Sequence, residues 1–133
     1  MTRAKLTQEM KDFFEKRDPG MVFIGTASKK GIPNVAAKGT FIKVLDDETI
    51  CYADVFSRKT LDNVKENPVV AVVVVNVKTF KGYQFKGKAE IITEGKLLEE
   101  AKKQNPLVQS VTKIKVDEIY LMDYGPEAGK RLA

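Results

Sequence analysis

The sequence predicts a mainly β fold in which α-helices flank a six-stranded antiparallel barrel. Two observations carry this prediction. The predicted elements follow the order helix, three strands, helix, two strands, helix, strand, which lacks the regular strand–helix alternation of doubly wound folds. The run from Val69 to Val77 is so rich in β-branched residues that both faces of its strand must be covered, either in a closed barrel or at a subunit interface.

Length and composition are those of one ordinary globular domain. The 133 residues, of which 43% are hydrophobic and 31% charged, suffice to bury a core, and we expect a single domain over residues 1–133. No apolar run approaches the ~18 residues that a membrane span needs. The N-terminus leads into an amphipathic pattern and not into a secretory signal. We therefore expect a cytoplasmic protein without a membrane partner.

The absence of histidine and the presence of a single cysteine exclude several kinds of chemistry. Pairs of serine or cysteine with histidine cannot form, nor can an internal disulfide or a cysteine-cluster metal site. Cys51 lies between apolar residues of a predicted strand and is expected to be a small buried hydrophobe. Redox or transfer chemistry must therefore use a bound cofactor or the lysine, arginine, tyrosine and carboxylate side chains.

The charge balance favours a partner that carries phosphate. The chain has 23 Lys and Arg against 18 Asp and Glu, a net charge of +5. The lysines are spread along the chain, and no zinc-finger or aromatic RNA-binding motif occurs. We therefore expect a phosphorylated small molecule and no nucleic acid partner.

The first half of the chain predicts one helix and three strands. Thr7–Arg17 has apolar residues at helical spacing, with Thr7 as a plausible N-cap and a stop at Asp18-Pro19-Gly20. The second of the predicted strands is interrupted at Lys38-Gly39. The strands are predicted over Met21–Ser28, Asn34–Leu45 and Thr49–Asp54.

The second half predicts two helices and three strands. An Asn-Pro pair ends each helix, Asn67-Pro68 the first and Asn105-Pro106 the second. Gly82 and Gly87 are expected to bend the sheet. The helices are predicted over Ser57–Glu66 and Glu94–Asn105, with a helical turn over Leu107–Val111, and the strands over Val69–Val77, Phe80–Thr93 and Lys113–Tyr124.

A candidate phosphate site lies at the start of the second helix. Ser57-Arg58-Lys59-Thr60 follows a strand and combines two hydroxyls with two cations where a helix begins. Backbone N–H groups at a helix N-terminus lack intrahelical partners, so an anion can bind there, and Arg58 and Lys59 would add charge. An alternative interpretation is that Ser57 caps the helix and the two cations are solvated. The stretch by itself leaves both open.

Several short motifs, in this order, resemble the split-barrel flavoproteins related to pyridoxamine 5'-phosphate oxidase. The resemblance covers roughly residues 7 to 123. Its motifs are Gly25-Thr26-Ala27, Gly31-Ile32-Pro33, Tyr52-Ala53-Asp54 before Ser57-Arg58-Lys59-Thr60, Asn63-Val64, Asn67-Pro68 with the valine strand, and Phe85-Lys86-Gly87-Lys88-Ala89.

The resemblance implies a homodimer of split β-barrels that holds FMN in clefts between the two subunits. Arg58, Lys59 and Thr60, with Ser57, would hold the flavin phosphate. Ala36, Ala37, Lys38 and Gly39 match the strand whose backbone runs along the isoalloxazine ring and the ribityl chain, and Tyr52 and Ala53 match positions near the flavin. Small residues at 36 and 37 suit that role, although they could also be merely small residues facing the barrel. No metal ligand is predicted.

The chain departs from the founding enzyme of this family near its C-terminus. The Arg-x-His element that helps to recognise pyridoxal there has no counterpart in the tail from Gly125 to Ala133. Vitamin B6 oxidation is therefore not expected. The leading hypothesis is an FMN-binding flavoprotein that acts as a flavin-dependent oxidoreductase or electron carrier with an unidentified donor and acceptor. The alternatives are a deazaflavin-dependent oxidoreductase of the same fold and a non-enzymatic basic binding module. Lys38 could lie near the flavin ring or point to solvent.

Overall fold

The protein folds into one curled antiparallel sheet with three helices packed around it. The computed structural model describes residues 4–17 and 20–133, so the predicted helix stop at Asp18-Pro19 lies outside the described residues. The helices are α1 (Gln8–Lys16), α2 (Lys59–Glu66) and α3 (Lys96–Gln104). The strands are β1 (Gly20–Ala27), β2 (Pro33–Lys38), β3 (Lys43–Asp46), β4 (Thr49–Asp54), β5 (Val69–Asn76), β6 (Gly82–Ile92) and β7 (Ser110–Leu121).

The seven strands follow the order β2-β1-β5-β6-β7-β4-β3, and every neighbouring pair is antiparallel. The sheet curls but does not close. Among the described strands, no ladder joins β2 to β4, although the Ala53 N–H donates to the Thr40 carbonyl at 2.9 Å. The architecture is therefore a split barrel, whose split lies between the ends of β2 and β4.

The predicted number of six strands was wrong by one. The stretch predicted as a single strand over Asn34–Leu45 forms β2 and β3, which lie at opposite edges of the sheet. The chain turns between them at Phe41, whose φ is +53° and whose ring is buried. A backbone with positive φ cannot continue a strand, so the segment crosses the split instead.

The last strand also differs from its predicted limits. The predicted helical turn over Leu107–Val111 is wrong in its second half, because β7 begins at Ser110 and pairs with both β4 and β6. The bend expected at Gly87 is confirmed, since the ladder between β6 and β7 shifts register there. A Cβ atom at Gly87 would lie 1.9 Å from the Lys115 carbonyl oxygen, so only glycine fits.

The barrel interior is a single apolar core. It is built from side chains such as Ile24, Val72, Phe85 and Ile114, and α1 covers one end of it with Phe14, which meets Phe85 edge to face at 5.9 Å. A second cluster under α3 includes Cys51. Burial raises the pKa of the Cys51 thiol to about 12, as expected for an inert cysteine.

The outer face of β1, β2 and β5 is apolar and open to solvent. Along β5, Val70, Val72 and Val74 point into the core, while the alternate residues point outward. Only one face of the valine strand is therefore covered by its own chain. We call the outward-pointing set the outer apolar face; it consists of Met21, Phe23, Gly25, Ala27, Pro33, Val35, Ala37, Val69, Ala71, Val73 and Val75.

No helix among the described residues is long and apolar enough to cross a membrane.

Candidate functional site

A cleft of about 240 Å³ opens at the split of the barrel, between the end of β2 and the start of α2. Its walls come from the edge strand, from the loop after β4 and from the first turn of the helix. The lining residues are Asn34, Ala36, Ala37, Lys38, Val55, Phe56, Ser57, Arg58, Lys59 and Thr60. The structure thus brings together two stretches that the sequence singled out separately, 36–38 and 57–60.

On the strand side of the cleft, a ligand can approach the backbone of β2 closely. β2 is an edge strand, and β1 is its only partner among the strands that the structure describes. Its other edge therefore keeps N–H and C=O groups that no strand pairs. Ala36 and Ala37 present only methyl groups there, so a flat ligand would meet the backbone rather than a bulky side chain.

The helix side of the cleft is an uncapped N-terminus. α2 begins at Lys59, two residues later than predicted, and its N-cap position is Arg58, which makes no capping hydrogen bond through its side chain. The interpretation of Ser57 as the cap is therefore wrong. The unsatisfied N–H groups of the first turn carry partial positive charge, to which Arg58 and Lys59, both exposed, add full charges.

The loop that precedes α2 is held in place by Gln109, the residue directly before β7. The Gln109 side chain accepts from the Ser57 N–H at 2.7 Å, and its backbone N–H donates to the Asp54 carbonyl at 2.8 Å. On the other wall, the Asn34 amide donates to the Thr60 hydroxyl at 3.4 Å. These bonds fix the spacing between the strand and the helix.

Lys38 is buried, so the alternative of a solvent-facing lysine is wrong. Its ammonium lies 3.6 Å from a carboxylate oxygen of Asp54, donates to the Ser57 hydroxyl at 3.3 Å and sits 5.1 Å from the centroid of the Tyr52 ring. Burial lowers the pKa of Lys38, against the opposing effect of Asp54. The other Asp54 oxygen accepts from the hydroxyls of Ser110 and Thr112 at 2.7 and 2.8 Å.

Burial raises the pKa of the Asp54 carboxyl, while the two hydroxyl donors and Lys38 lower it. Both side chains of the pair are almost inaccessible, with exposed fractions of 7% for Lys38 and 0% for Asp54. A buried charge requires a partner, and here each group supplies the other's. Asp54 therefore fixes the position of Lys38 in the cleft wall.

Three of the predicted site residues do not line the cleft. Tyr52 and Ala53 are buried in β4, with exposed fractions of 0% and 2%, and Gly39 lies just beyond β2 in the segment that crosses the split. Burial raises the pKa of the Tyr52 hydroxyl, so this phenol stays neutral. A direct contact of these three residues with a ligand stays a prediction.

Sequence reasoning missed Asp54, Gln109 and Asn34. An ionisable residue at the end of an apolar strand, directly before the cationic stretch, was a signal that could have identified Asp54. Nothing local marks Gln109, because it reaches the site only through the pairing of β7 with β4.

A second and larger groove, of about 420 Å³, runs along the outer apolar face. Gly25, Ala27 and Ala71 form part of its lining, and Lys86 and Lys88 flank it. Asn34 lines both this groove and the cleft, so the two depressions adjoin.

The arrangement is suited to holding an anion next to a flat surface. The cleft offers hydroxyls, cations and free backbone donors, and none of its lining residues is acidic. Among the described residues, no group of histidine, cysteine, aspartate and glutamate is placed to bind a metal ion. The lining residues supply groups for binding and orientation.

Comparison with known proteins assigns the chain to a family. The family model described as pyridoxamine 5'-phosphate oxidase matches residues 6–123. An uncharacterised protein of Methanocaldococcus jannaschii is 44% identical, over 98% of this chain and 89% of its own. The structure of HupZ from Group A Streptococcus is similar, with a TM-score of 0.78, 32% identity and coverage of 93% of this chain and 99% of that one.

An FMN-binding protein from Syntrophomonas wolfei shares the fold, with a TM-score of 0.74, 20% identity and coverage of 88% of this chain and 86% of its own. The predicted family and the predicted mainly β split-barrel class are confirmed. This chain is a member of the pyridoxamine 5'-phosphate oxidase family.

Proposed function

We propose that this protein is an FMN-binding flavoprotein that holds FMN at a homodimer interface and acts as a flavin-dependent oxidoreductase or electron carrier. The observation that supports this most directly is the cleft itself. It combines an uncapped, cationic helix N-terminus with an edge strand of small residues. A flavin mononucleotide requires both, because it has a phosphate at one end and a flat ring at the other.

The helix side fits the phosphate. A phosphate monoester carries about −1.5 to −2 charge and accepts several hydrogen bonds. Arg58 and Lys59 supply charge, Ser57 and Thr60 supply hydroxyls, and the first turn of α2 supplies free N–H groups.

The strand side fits the ring and the ribityl chain. Ala36 and Ala37 keep side chains away from the backbone of β2, and Lys38 is held against Asp54 at the end of that strand. When bound, FMN would supply hydride and single-electron transfer, chemistry that the amino acids of this chain lack. The protein's part would be to anchor the phosphate, orient the ring and exclude water.

The outer apolar face supports assembly into a homodimer. Val35 and Val69 are 70% and 55% exposed in a single chain, although they belong to one continuous apolar surface over β1, β2 and β5. A surface of this kind marks an interaction site. It adjoins the cleft at Asn34, so a second copy seated on it would also shield a ligand in the cleft.

The absorption spectrum of the purified protein tests the proposal. We expect a yellow protein with flavin absorbance, about one FMN per chain on release of the cofactor, and recovery of the spectrum when the apoprotein is mixed with FMN. A colourless protein that FMN does not reconstitute would contradict the proposal.

Two other outcomes have distinct signatures. Tighter binding of a deazaflavin than of FMN would assign the same phosphate site to a deazaflavin-dependent oxidoreductase. Binding of polyanions that weakens steeply with salt, without any chromophore, would indicate a non-enzymatic basic module. Oxidation of vitamin B6 is not part of the proposal.

A further inference from the structure

The buried pair of Lys38 and Asp54 connects two strands that no ladder joins. Lys38 is the last residue of β2 and Asp54 the last residue of β4, so their 3.6 Å contact bridges the split of the barrel. Ser110 and Thr112 bind the second oxygen of Asp54 and hold its carboxylate toward the lysine. The pair therefore has a fixed geometry and faces the cleft through Lys38.

The pair changes the charge that the cleft offers to a ligand. The lining residues Lys38, Arg58 and Lys59 contribute three positive charges, and the buried partner of Lys38, Asp54, subtracts one, which leaves two for these four groups. Asp62, in the first turn of α2, is exposed and does not line the cleft. The sum does not depend on where the proton lies, because an ammonium–carboxylate pair and an amine–carboxylic acid pair are both neutral. A phosphate monoester, at about −1.5 to −2, matches this value, whereas a pyrophosphate exceeds it.

We propose that Asp54 is a specificity-determining residue, which neutralises Lys38 and thereby adjusts the cleft to ligands with a single phosphate monoester. The inference rests on the proposed function for the identity of the phosphate-bearing molecule, but the charge balance itself concerns any anion in the cleft. Asp54 does not line the cleft, so it acts through Lys38 and through the electrostatic field.

Charge balance makes a prediction that a purely structural role does not. Removing the carboxylate by Asp54→Asn should tighten anion binding, because the bound anion then takes the place of Asp54 as the partner of the Lys38 ammonium. Removing the ammonium by Lys38→Met should weaken anion binding. The size of each effect should grow with the charge of the ligand. Asparagine keeps the shape of the side chain and can still accept from Ser110 and Thr112. The double variant should return close to the wild type, because it removes both charges.

The experiment measures dissociation constants of the wild type and the three variants for riboflavin, FMN, inorganic phosphate and pyrophosphate by calorimetry. For Asp54→Asn we expect phosphate and FMN to bind roughly threefold to tenfold more tightly, pyrophosphate to gain more, and riboflavin to change little. For Lys38→Met we expect changes of the opposite sign: phosphate and FMN should bind more weakly, pyrophosphate should lose the most affinity, and riboflavin should change little. Thermal unfolding verifies that each variant is folded. If one single variant does not fold, the other still tests whether anion affinity changes in the expected direction.

Two results would overturn the inference. One is that both single variants weaken the binding of all four ligands by the same factor, which would make the pair a structural element only. The other is an unchanged ratio of pyrophosphate to phosphate affinity in both single variants. Failure of the proposed function looks different: FMN would not bind the wild type, while inorganic phosphate and pyrophosphate would still respond to the two substitutions as expected.

Discussion

The helices α1 and α2 begin in opposite ways. At α1, the hydroxyl of Thr7 accepts from the Met10 N–H at 3.2 Å, so the chain satisfies the helix end itself. At α2, the hydroxyl of Ser57 accepts from the Lys38 ammonium instead, and Arg58, at the N-cap position, makes no capping hydrogen bond through its side chain. The first turn of α1 is therefore capped by a side chain of its own chain, whereas the N–H groups in the first turn of α2 stay available to donate to another molecule.

The third helix shows that an uncapped end is not sufficient for a site. α3 has Gly95 at its N-cap position and also lacks a side-chain cap. Its start lines neither of the two depressions around the split. What distinguishes α2 is its surroundings, namely two cations and an edge strand that faces it across a cleft.

The largest effect should come from removing the cations at α2. We expect Arg58→Ala combined with Lys59→Ala to weaken FMN binding by roughly 100-fold or more, because each charge-assisted hydrogen bond contributes ~1.5–3 kcal/mol. Fluorescence titration of the apoprotein measures this. The matched control is Lys102→Ala combined with Lys103→Ala, which removes two exposed cations from α3. Equal losses in the two double variants would show that only net charge matters.

The two faces of β5 differ in the same way as the two helix starts, because the chain covers one of them and leaves the other exposed. The inner face is buried, whereas the outer face is not covered by the described residues. We expect Val69→Asp to weaken the proposed homodimer at least about tenfold and to shift it toward the monomer, because the substitution places a charge on the apolar face. Lys88 lies opposite Val69 on β6 and can pair with the new carboxylate, so the monomer should stay folded. Light scattering after gel filtration measures the mass. Val77→Asp, in the turn after β5, is the control; a dimer that survives Val69→Asp would place the interface elsewhere.

The two helix starts predict different responses to loss of a hydroxyl. Thr7→Ala should lower the free energy of unfolding by about 1 kcal/mol, because it removes the cap of α1. Chemical denaturation measures this change. FMN affinity should be unaffected, since Thr7 does not line the cleft. A change in FMN affinity without a change in stability would contradict the assignment.

The smallest effect is expected at Ser57. Ser57→Ala removes no helix cap, but it removes the hydroxyl that accepts from the Lys38 ammonium. Because Asp54 stays as the charge partner of Lys38, the free energy of unfolding should fall by less than ~1 kcal/mol. FMN affinity should fall by a few-fold, roughly the value of one neutral hydrogen bond. Denaturation and FMN titration of the same preparation give both values. A stability loss of the same size for Ser57→Ala in a Lys38→Met background, where the bond to Lys38 is already absent, would mean that Ser57 caps α2 after all.

Much of the fold was predictable because its signals are local. The cap at Thr7, the stops before Pro68 and Pro106, and the bend at Gly87 each depend on the conformation or sterics of one or two residues. The helix limits were less accurate. α2 starts two residues after the predicted first residue, Ser57, because the hydroxyl of Ser57 bonds to Lys38 and its N–H bonds to Gln109.

The sequence by itself determined which elements form, which face of each is apolar, and which short stretches carry small residues or cations. Only the tertiary structure decided that β2 and β3 lie at opposite edges of the sheet, that Lys38 meets Asp54 across the split, and that Gln109, 52 positions along the chain, holds Ser57. The alternation of residues along a strand specifies a face but not a neighbouring strand. Which groups meet at the cleft therefore depends on long-range strand pairing.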